Sequence, residues 1–186
     1  MGLLVSHAPS RPLLARGEGL SLRALFEAQA GFVLRLLRRM GVAEADLDDA
    51  LQEVFVVVHR RLEQYDGTCK VETWMFGITR RVASEFRRRP HVRREATMSE
   101  PPETVAEAAG PQEQAEQAEL RRLLAAALDR LDDDKRSVFV LYELEGMTMN
   151  DVAQAVECPL QTAYSRLHAA RDIVRRALER AFGDRP

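Results

Sequence analysis

The stretch from Gly146 to Arg176, GMTMNDVAQAVECPLQTAYSRLHAARDIVRR, constrains the fold more than any other part of the chain. Its apolar residues repeat at helical spacing on both sides of a short break. Thr148 is placed to cap a first helix, and Asp151, three residues on, can answer it as in a capping box. Met149, Val152, Ala153 and Val156 then fall at i, i+3, i+4 and i+7 as one apolar stripe. Glu157-Cys158 interrupts the pattern, and Pro159 suits the first position of a new helix, where a missing N–H costs nothing. Leu160, Ala163, Leu167, Ala170 and Val174 are the expected buried stripe of that second helix. At about 100° per residue, Ser165 lies opposite the stripe. Gln161, Thr162, Ala169 and Asp172 surround it, Arg166 and His168 flank it, and Tyr164 and Arg171 fall nearer the buried edge. A short helix, a tight turn and a second helix with a polar, partly basic outer face is the helix-turn-helix plan, in which the second helix enters the DNA major groove. The same spacing also fits a plain helical hairpin within a bundle. The arginines after the turn (Arg166, Arg171, Arg175, Arg176, Arg180) favour DNA.

Total charge does not point the same way, since 27 Lys and Arg against 29 Asp and Glu leave a net charge of −2. The charges are segregated, however. Between Arg80 and Arg94 all but Glu85 are positive (Arg80, Arg81, Arg87, Arg88, Arg89, Arg93, Arg94), and from Glu95 to Glu119 all are negative. Such blocks mark a basic binding surface and an acidic tether that an average conceals. The 186 residues, 46% of them hydrophobic, suffice for one domain or two small ones with real cores. Cys69 and Cys158 are far apart and form no CxxC, and His7, His59, His91 and His168 show no ligand spacing, so no disulfide framework, metal site or cofactor is expected. No apolar run, that around Val54–Val58 included, approaches the length of a membrane span. The start, MGLLVSHAPSRP, lacks a signal peptide's regions, and its match to a myristoylation pattern at Gly2 and Ser6 is too short to carry weight. A cytoplasmic protein without membrane insertion is expected.

Residues 1–20, with Pro9, Pro12, Gly17 and Gly19, read as a flexible extension. Ser21 can cap a helix carrying Leu22, Leu25, Phe26, Val33, Leu37 and Met40 on one side, ended by Gly41. A second helix from about Asp46 or Asp48 buries Leu47, Leu51, Val54, Val58 and Leu62 and turns Asp48, Asp49, Gln52 and Glu53 outward. Tyr65-Asp66-Gly67-Thr68-Cys69-Lys70 is a loop. A third helix, about Val71 to Arg89, draws its core from Val71, Trp74, Ile78, Val82 and Phe86 and stops before Pro90. Residues 94–117, rich in Ala, Glu and Pro, have linker composition. Leu120, Leu123, Leu124, Ala127, Leu128 and Leu131 open a second helical unit. In it Asp132–Asp134 can cap a helix holding Val138, Leu141 and Tyr142, closed by Gly146. The expected fold is therefore all-α: two small helical domains (21–93 and 118–182) joined by a flexible acidic linker (94–117), the second a helix-turn-helix. No phosphate-cradling glycine loop or nucleophile motif is present, and no enzyme is expected.

In this order the motifs resemble those of the extracytoplasmic-function (ECF) sigma factors of bacterial RNA polymerase. Asp48-Asp49-Ala50-Leu51-Gln52-Glu53-Val54-Phe55 is similar to the core-binding helix of sigma domain two, and Thr73-Trp74-Met75-Phe76-Gly77-Ile78 to the stretch leading into its −10-reading helix. Leu131-Asp132 through Leu144-Glu145-Gly146-Met147-Thr148 resembles the entry to domain four. Cys158-Pro159-Leu160-Gln161-Thr162 and Ser165-Arg166-Leu167-His168 resemble its recognition helix. The resemblance spans about residues 20–182. It implies that Asp48, Asp49, Gln52, Glu53 and Phe55 bind the β′ clamp helices of core polymerase, with the β flap as a further contact. An acidic face suits a basic partner, although the same face also reads as a solvated one. Tyr65, Asp66, Gly67, Thr68, Cys69 and Lys70 would capture a flipped −10 base. Trp74 and Phe76 would stack at the melted edge, but Trp74 shares the stripe of Ile78 and reads more readily as core. Arg80, Arg81, Ser84, Arg87 and Arg88 would hold phosphates, giving salt-sensitive affinity without sequence reading. Pro159, Gln161, Thr162, Tyr164, Ser165, Arg166, His168 and Arg171 would meet the −35 element; among them Gln161, Thr162, Ser165 and Arg166 are the first choices, Gln suiting adenine and Arg guanine.

The resemblance implies core RNA polymerase, promoter DNA and an anti-sigma factor as partners. Gln161 stands where the family often has Gly, and Tyr164 and Ala169 where it has basic residues. Arg81 replaces a frequent Asn, Gly77 a frequent Arg, and Thr68-Cys69-Lys70-Val71 departs from the common loop. Unusual −10 and −35 preferences are expected. A tether of about 20–25 residues reaches at most ~80 Å, against a free-coil separation of ~25 Å. Two promoter elements one and a half turns apart require ~50 Å, so the linker spans them when stretched. The alternatives are a stand-alone helix-turn-helix regulator and a helical protein-interaction module.

Overall fold

The structure, a computed structural model, describes residues 21–88 and 111–183. The expected extension (1–20), the end of the first domain beyond Arg88 and the linker as far as Gly110 lie outside the described residues. Three helices build the first half: α1 (Leu22–Arg39), α2 (Leu47–Arg61) and α3 (Val71–Arg88). The second half has α4 (Pro111–Leu128), α5 (Asp133–Phe139), α6 (Met149–Ala155) and α7 (Leu160–Gly183). Helix α4 begins at Pro111, so residues 111–117, expected within the linker, are helical.

Local chemistry sets the boundaries. The Ser21 hydroxyl accepts the Ala24 N–H at 3.1 Å and opens α1. Gly41 closes it at φ +87°, while the Val42 N–H returns to the Leu37 carbonyl at 3.0 Å. That six-to-one bond around a left-handed residue is a Schellman ending, which glycine makes without steric cost. Asp132 caps α5 by accepting the Lys135 N–H at 2.8 Å. Helix α5 then widens into a π-helical turn over Val140–Leu144 before Gly146, at φ +66°, ends the element.

The first core joins Val33, Leu36, Leu37, Val54, Val58, Met75, Phe76, Val82 and Phe86, from one face each of α1, α2 and α3. The second joins Leu128, Leu131, Val138, Leu141, Val152, Ala163, Leu167 and Ala170. The halves then close on each other, with α3 packed along α6. Their joint is an arginine. Arg136, only 2% exposed, donates through Nε to the Leu128 carbonyl at 3.1 Å, through Nη1 to the Met40 carbonyl at 2.9 Å and through Nη2 to Asp129. One guanidinium thus satisfies the ends of α4 and α1 together. A methyl on Gly41 would lie 2.3 Å from Nη1, so the glycine also makes room for it. Nearby, Glu145 pairs with Arg39 and, at 3.6 Å, with Arg35 of α1.

Candidate nucleic-acid interface

Helices α6 and α7 form the helix-turn-helix. The Thr148 hydroxyl accepts the Asp151 N–H at 3.3 Å. The reciprocal half of the expected capping box is replaced, because the Asp151 carboxylate takes the Thr148 hydroxyl at 2.8 Å and the Lys70 ammonium at 2.6 Å. Burial on its own would raise the Asp151 pKa, but these hydrogen bonds outweigh it and hold the carboxyl below the usual range. At the turn Glu157 adopts φ +54°, and the Cys158 N–H reaches back to the Ala153 carbonyl at 3.0 Å. Pro159 stands just before α7, rather than as its first residue, and its carbonyl accepts the Ala163 N–H at 3.1 Å.

The α7 faces differ from the expected ones at several positions, among them Arg171, which is exposed rather than at the buried edge. Ala163, Leu167, Ala170 and Val174 are buried, whereas Leu160 is 42% exposed because it lies at the outer edge of the first turn. Tyr164 is also 42% exposed and joins Gln161, Ser165 and His168 on the outer face, with Thr162 and Ala169 half-buried beside them. The Ser165 hydroxyl donates to the Gln161 carbonyl at 2.9 Å. Arg166 is half-buried and donates to Asp134 at 2.6 Å, so it is not presented outward. Arg171 bonds Glu143 at 2.6 Å and lies 5.7 Å over the Tyr142 ring.

In the first half, Asp48, Asp49 and Gln52 are exposed on α2 and Glu53 is half-buried. Phe55 departs from its expected outward role. It is buried against Phe26, ring centroids 4.8 Å apart, and belongs to the core. The 65–70 loop is folded by its own side chains. Asp66 accepts the Thr68 N–H at 3.0 Å and its hydroxyl at 2.7 Å, which lowers the carboxyl's pKa, and Gly67 takes φ +71°. The Tyr65 hydroxyl donates to the Cys69 carbonyl at 2.6 Å, and its ring lies 5.0 Å from that of Trp74. Trp74 is half-buried, whereas Phe76 is fully buried and does not stack at a melted edge.

Three of the four arginines on the α3 ridge meet carboxylates of the second half. Arg80 donates to Asp134 at 2.5 Å, Arg81 to Glu157 at 3.3 Å, Ser84 to Asp133 at 3.2 Å, and Arg87 to Asp133. Arg88 turns back to Ser84 at 2.8 Å. Asp133, Asp134, Glu157 and Arg136 were not anticipated at this surface. Asp132–Asp134 read as helix caps, and nothing local marks them as facing a helix some fifty positions earlier. Among the described residues no group of His, Cys, Asp and Glu could hold a metal ion, and no helix is long and apolar enough to cross a membrane.

An acidic helix face, a basic helix beside the 65–70 loop and a helix-turn-helix follow one another along the chain. Comparison with known proteins finds the same order of units. The Sigma-70 region 2 family model matches residues 25–94 and the Sigma-70 region 4 model residues 121–173, together about two thirds of the chain. The ECF RNA polymerase sigma-E factor of Haemophilus influenzae is 26% identical over 175 residues, covering 88% of this chain and 90% of that one. The sigma-E factor of Escherichia coli K12 is 28% identical over 141 residues, covering 72% and 74%. Among solved structures, CnrH in complex with the cytosolic domain of CnrY superposes with TM-score 0.64 at 23% identity, over 85% of this chain and 87% of that one. The sigma factor RpoE bound to the anti-sigma factor NepR, from Bartonella quintana, gives TM-score 0.63 at 17% identity, over 84% and 96%. The chain belongs to the ECF sigma factors, the promoter-specificity subunits of bacterial RNA polymerase.

Proposed function

We propose that the two halves divide promoter recognition between them, residues 21–93 serving the −10 element and core polymerase, and residues 118–182 the −35 element. The exposed Asp48, Asp49 and Gln52 with Glu53 dock on a basic polymerase surface, where opposite charge gives steering and register. Trp74 and the 65–70 loop receive an unstacked −10 base, and Arg80, Arg81, Arg87 and Arg88 hold the strand's phosphates. Gln161, Tyr164, Ser165 and His168 enter the −35 major groove, with Arg166 and Arg171 joining once their carboxylates release them. The protein acts in the cytoplasm as a non-catalytic subunit, and an anti-sigma factor covers its polymerase-binding surfaces.

The observation that carries this reading is the co-occurrence, in one chain, of the exposed acidic face of α2, the arginines of α3 and the outward Gln161–His168 turn of α7. Run-off transcription with purified core polymerase across a pool of promoter fragments tests it. The wild-type chain should select a subset of fragments, and Gln161→Ala with His168→Ala should relax that selection at −35 by about 1–3 kcal/mol per lost base contact. Duplex binding by the chain alone, indifferent to core polymerase, would instead assign it to stand-alone regulators.

A further inference from the structure

Between Leu160 and Arg175 helix α7 carries three arginines, Arg166, Arg171 and Arg175, and no lysine. Each arginine donates to a carboxylate of the same half. Arg166 reaches Asp134 at 2.6 Å, Arg171 reaches Glu143 at 2.6 Å and Arg175 reaches Asp172 at 2.9 Å. Position decides more than pairing here, since exposed ion pairs are weak. Arg166 is half-buried, past one margin of the outer face, and Arg171 and Arg175 stand about two and three turns beyond Tyr164. Base edges are met by the N-terminal residues of a recognition helix. In those turns of α7 no guanidinium fork faces outward.

What does face outward is largely apolar. Leu160 and Tyr164, one helical turn apart on a single ridge, are each 42% exposed. The Ser165 hydroxyl is spent on the Gln161 carbonyl at 2.9 Å, which leaves the exposed Gln161 amide as the bidentate group beside that ridge. His168, when neutral, brings a single ring N–H. Guanine is read best by a bidentate Arg or Lys, adenine by a bidentate amide, and thymine by apolar contact with its C5-methyl group. We propose that this chain reads its −35 element through thymine methyl groups packed on Leu160 and the Tyr164 ring, with an adjacent adenine on Gln161. Arg166 and Arg171 then meet phosphates and not bases. The proposal rests on the assignment of α7 to the −35 element.

Run-off transcription by the full chain with core polymerase, on fragments randomised across the −35 segment, tests this. Transcribed fragments should be enriched in thymine and adenine there and depleted of guanine. Replacing the −35 thymines of an enriched fragment by deoxyuridine removes each methyl and keeps every hydrogen-bonding group. In competition with its thymine parent, the uracil fragment should lose about fourfold for each methyl contacted. The same replacement in the spacer between the elements should cost nothing. Leu160→Ala with Tyr164→Ala changes two exposed positions, and circular dichroism melts establish that the variant folds. It should transcribe thymine and uracil fragments equally. Enrichment of guanine, or a uracil fragment that competes as well as its parent, would overturn the proposal and leave the −35 assignment intact. An equal loss from the spacer replacement, or a thymine preference that survives in the double variant, would do the same. Absence of any enrichment at −35 would overturn that assignment, and the proposal with it.

Discussion

Arg136 concentrates more of the architecture in one side chain than any other residue. Burial pulls its pKa below the usual guanidinium value, while the Asp129 hydrogen bond works against that, and it keeps its charge by spending its donors on two carbonyls and a carboxylate. Arg136→Ala should cost about 3–5 kcal/mol in urea unfolding, and Arg136→Lys should recover less than half, because an ammonium cannot span three acceptors set as a fork. Asp132 is a smaller case with a pH signature. Hydrogen bonds from Lys135 lower its pKa in the folded chain. Its stabilisation is therefore complete above the unfolded carboxyl value of ~3.9 and is lost as pH falls through the lower folded value. Asp132→Ala should cost about 1 kcal/mol at pH 7 and flatten the acid limb of thermal stability measured between about pH 5 and pH 2. Phe76→Ala should lose about 3–5 kcal/mol, a core effect to be read in unfolding before any melting defect is assigned to it. Caps such as Ser21, Asp132 and Thr148 were legible in the sequence because their chemistry is confined to four residues. Phe55 and Phe76 were not, since family position points outward while the packing of α1 and α3 decides where a ring goes.

Among the elements, α3 carries a glycine that its packing does not require. A methyl on Gly77 would meet no atom within 4 Å. Gly77→Ala should stabilise the fold by about 1 kcal/mol in denaturant unfolding, the helix propensity recovered at an open site. Gly41→Ala should do the opposite by more than 1 kcal/mol, from its positive φ and the approach of Arg136. Both glycines look alike in sequence. Only the second ends an apolar periodic stretch, which is why its role was readable and the first's spare space was not. The described helices follow the periodicity closely where stripes are long, as in α1 and α3. Edge positions such as Leu160 and Tyr164 depart from it and are exposed, because a few tens of degrees at a helix margin separate contact from solvent.

At the scale of the whole molecule, the order of units was legible from motif order and charge blocks, while the closure of one half on the other was not. No periodicity reports that Asp134 will find Arg80, 54 positions earlier. Raising salt from about 50 mM to about 0.5 M should expand the free chain in scattering, since exposed pairs are screened as the Debye length shrinks. The double use of Asp134 has a further consequence for separation chemistry. Parting the halves breaks the pairs of Arg80, Arg81 and Arg87 but leaves Asp134 on Arg166 of its own half, so the net charge of −2 does not change while the charge pattern sharpens into opposed poles. An opened chain should be retained longer on cation and anion exchangers alike, whereas one that had merely lost acids would move on the two resins in opposite directions.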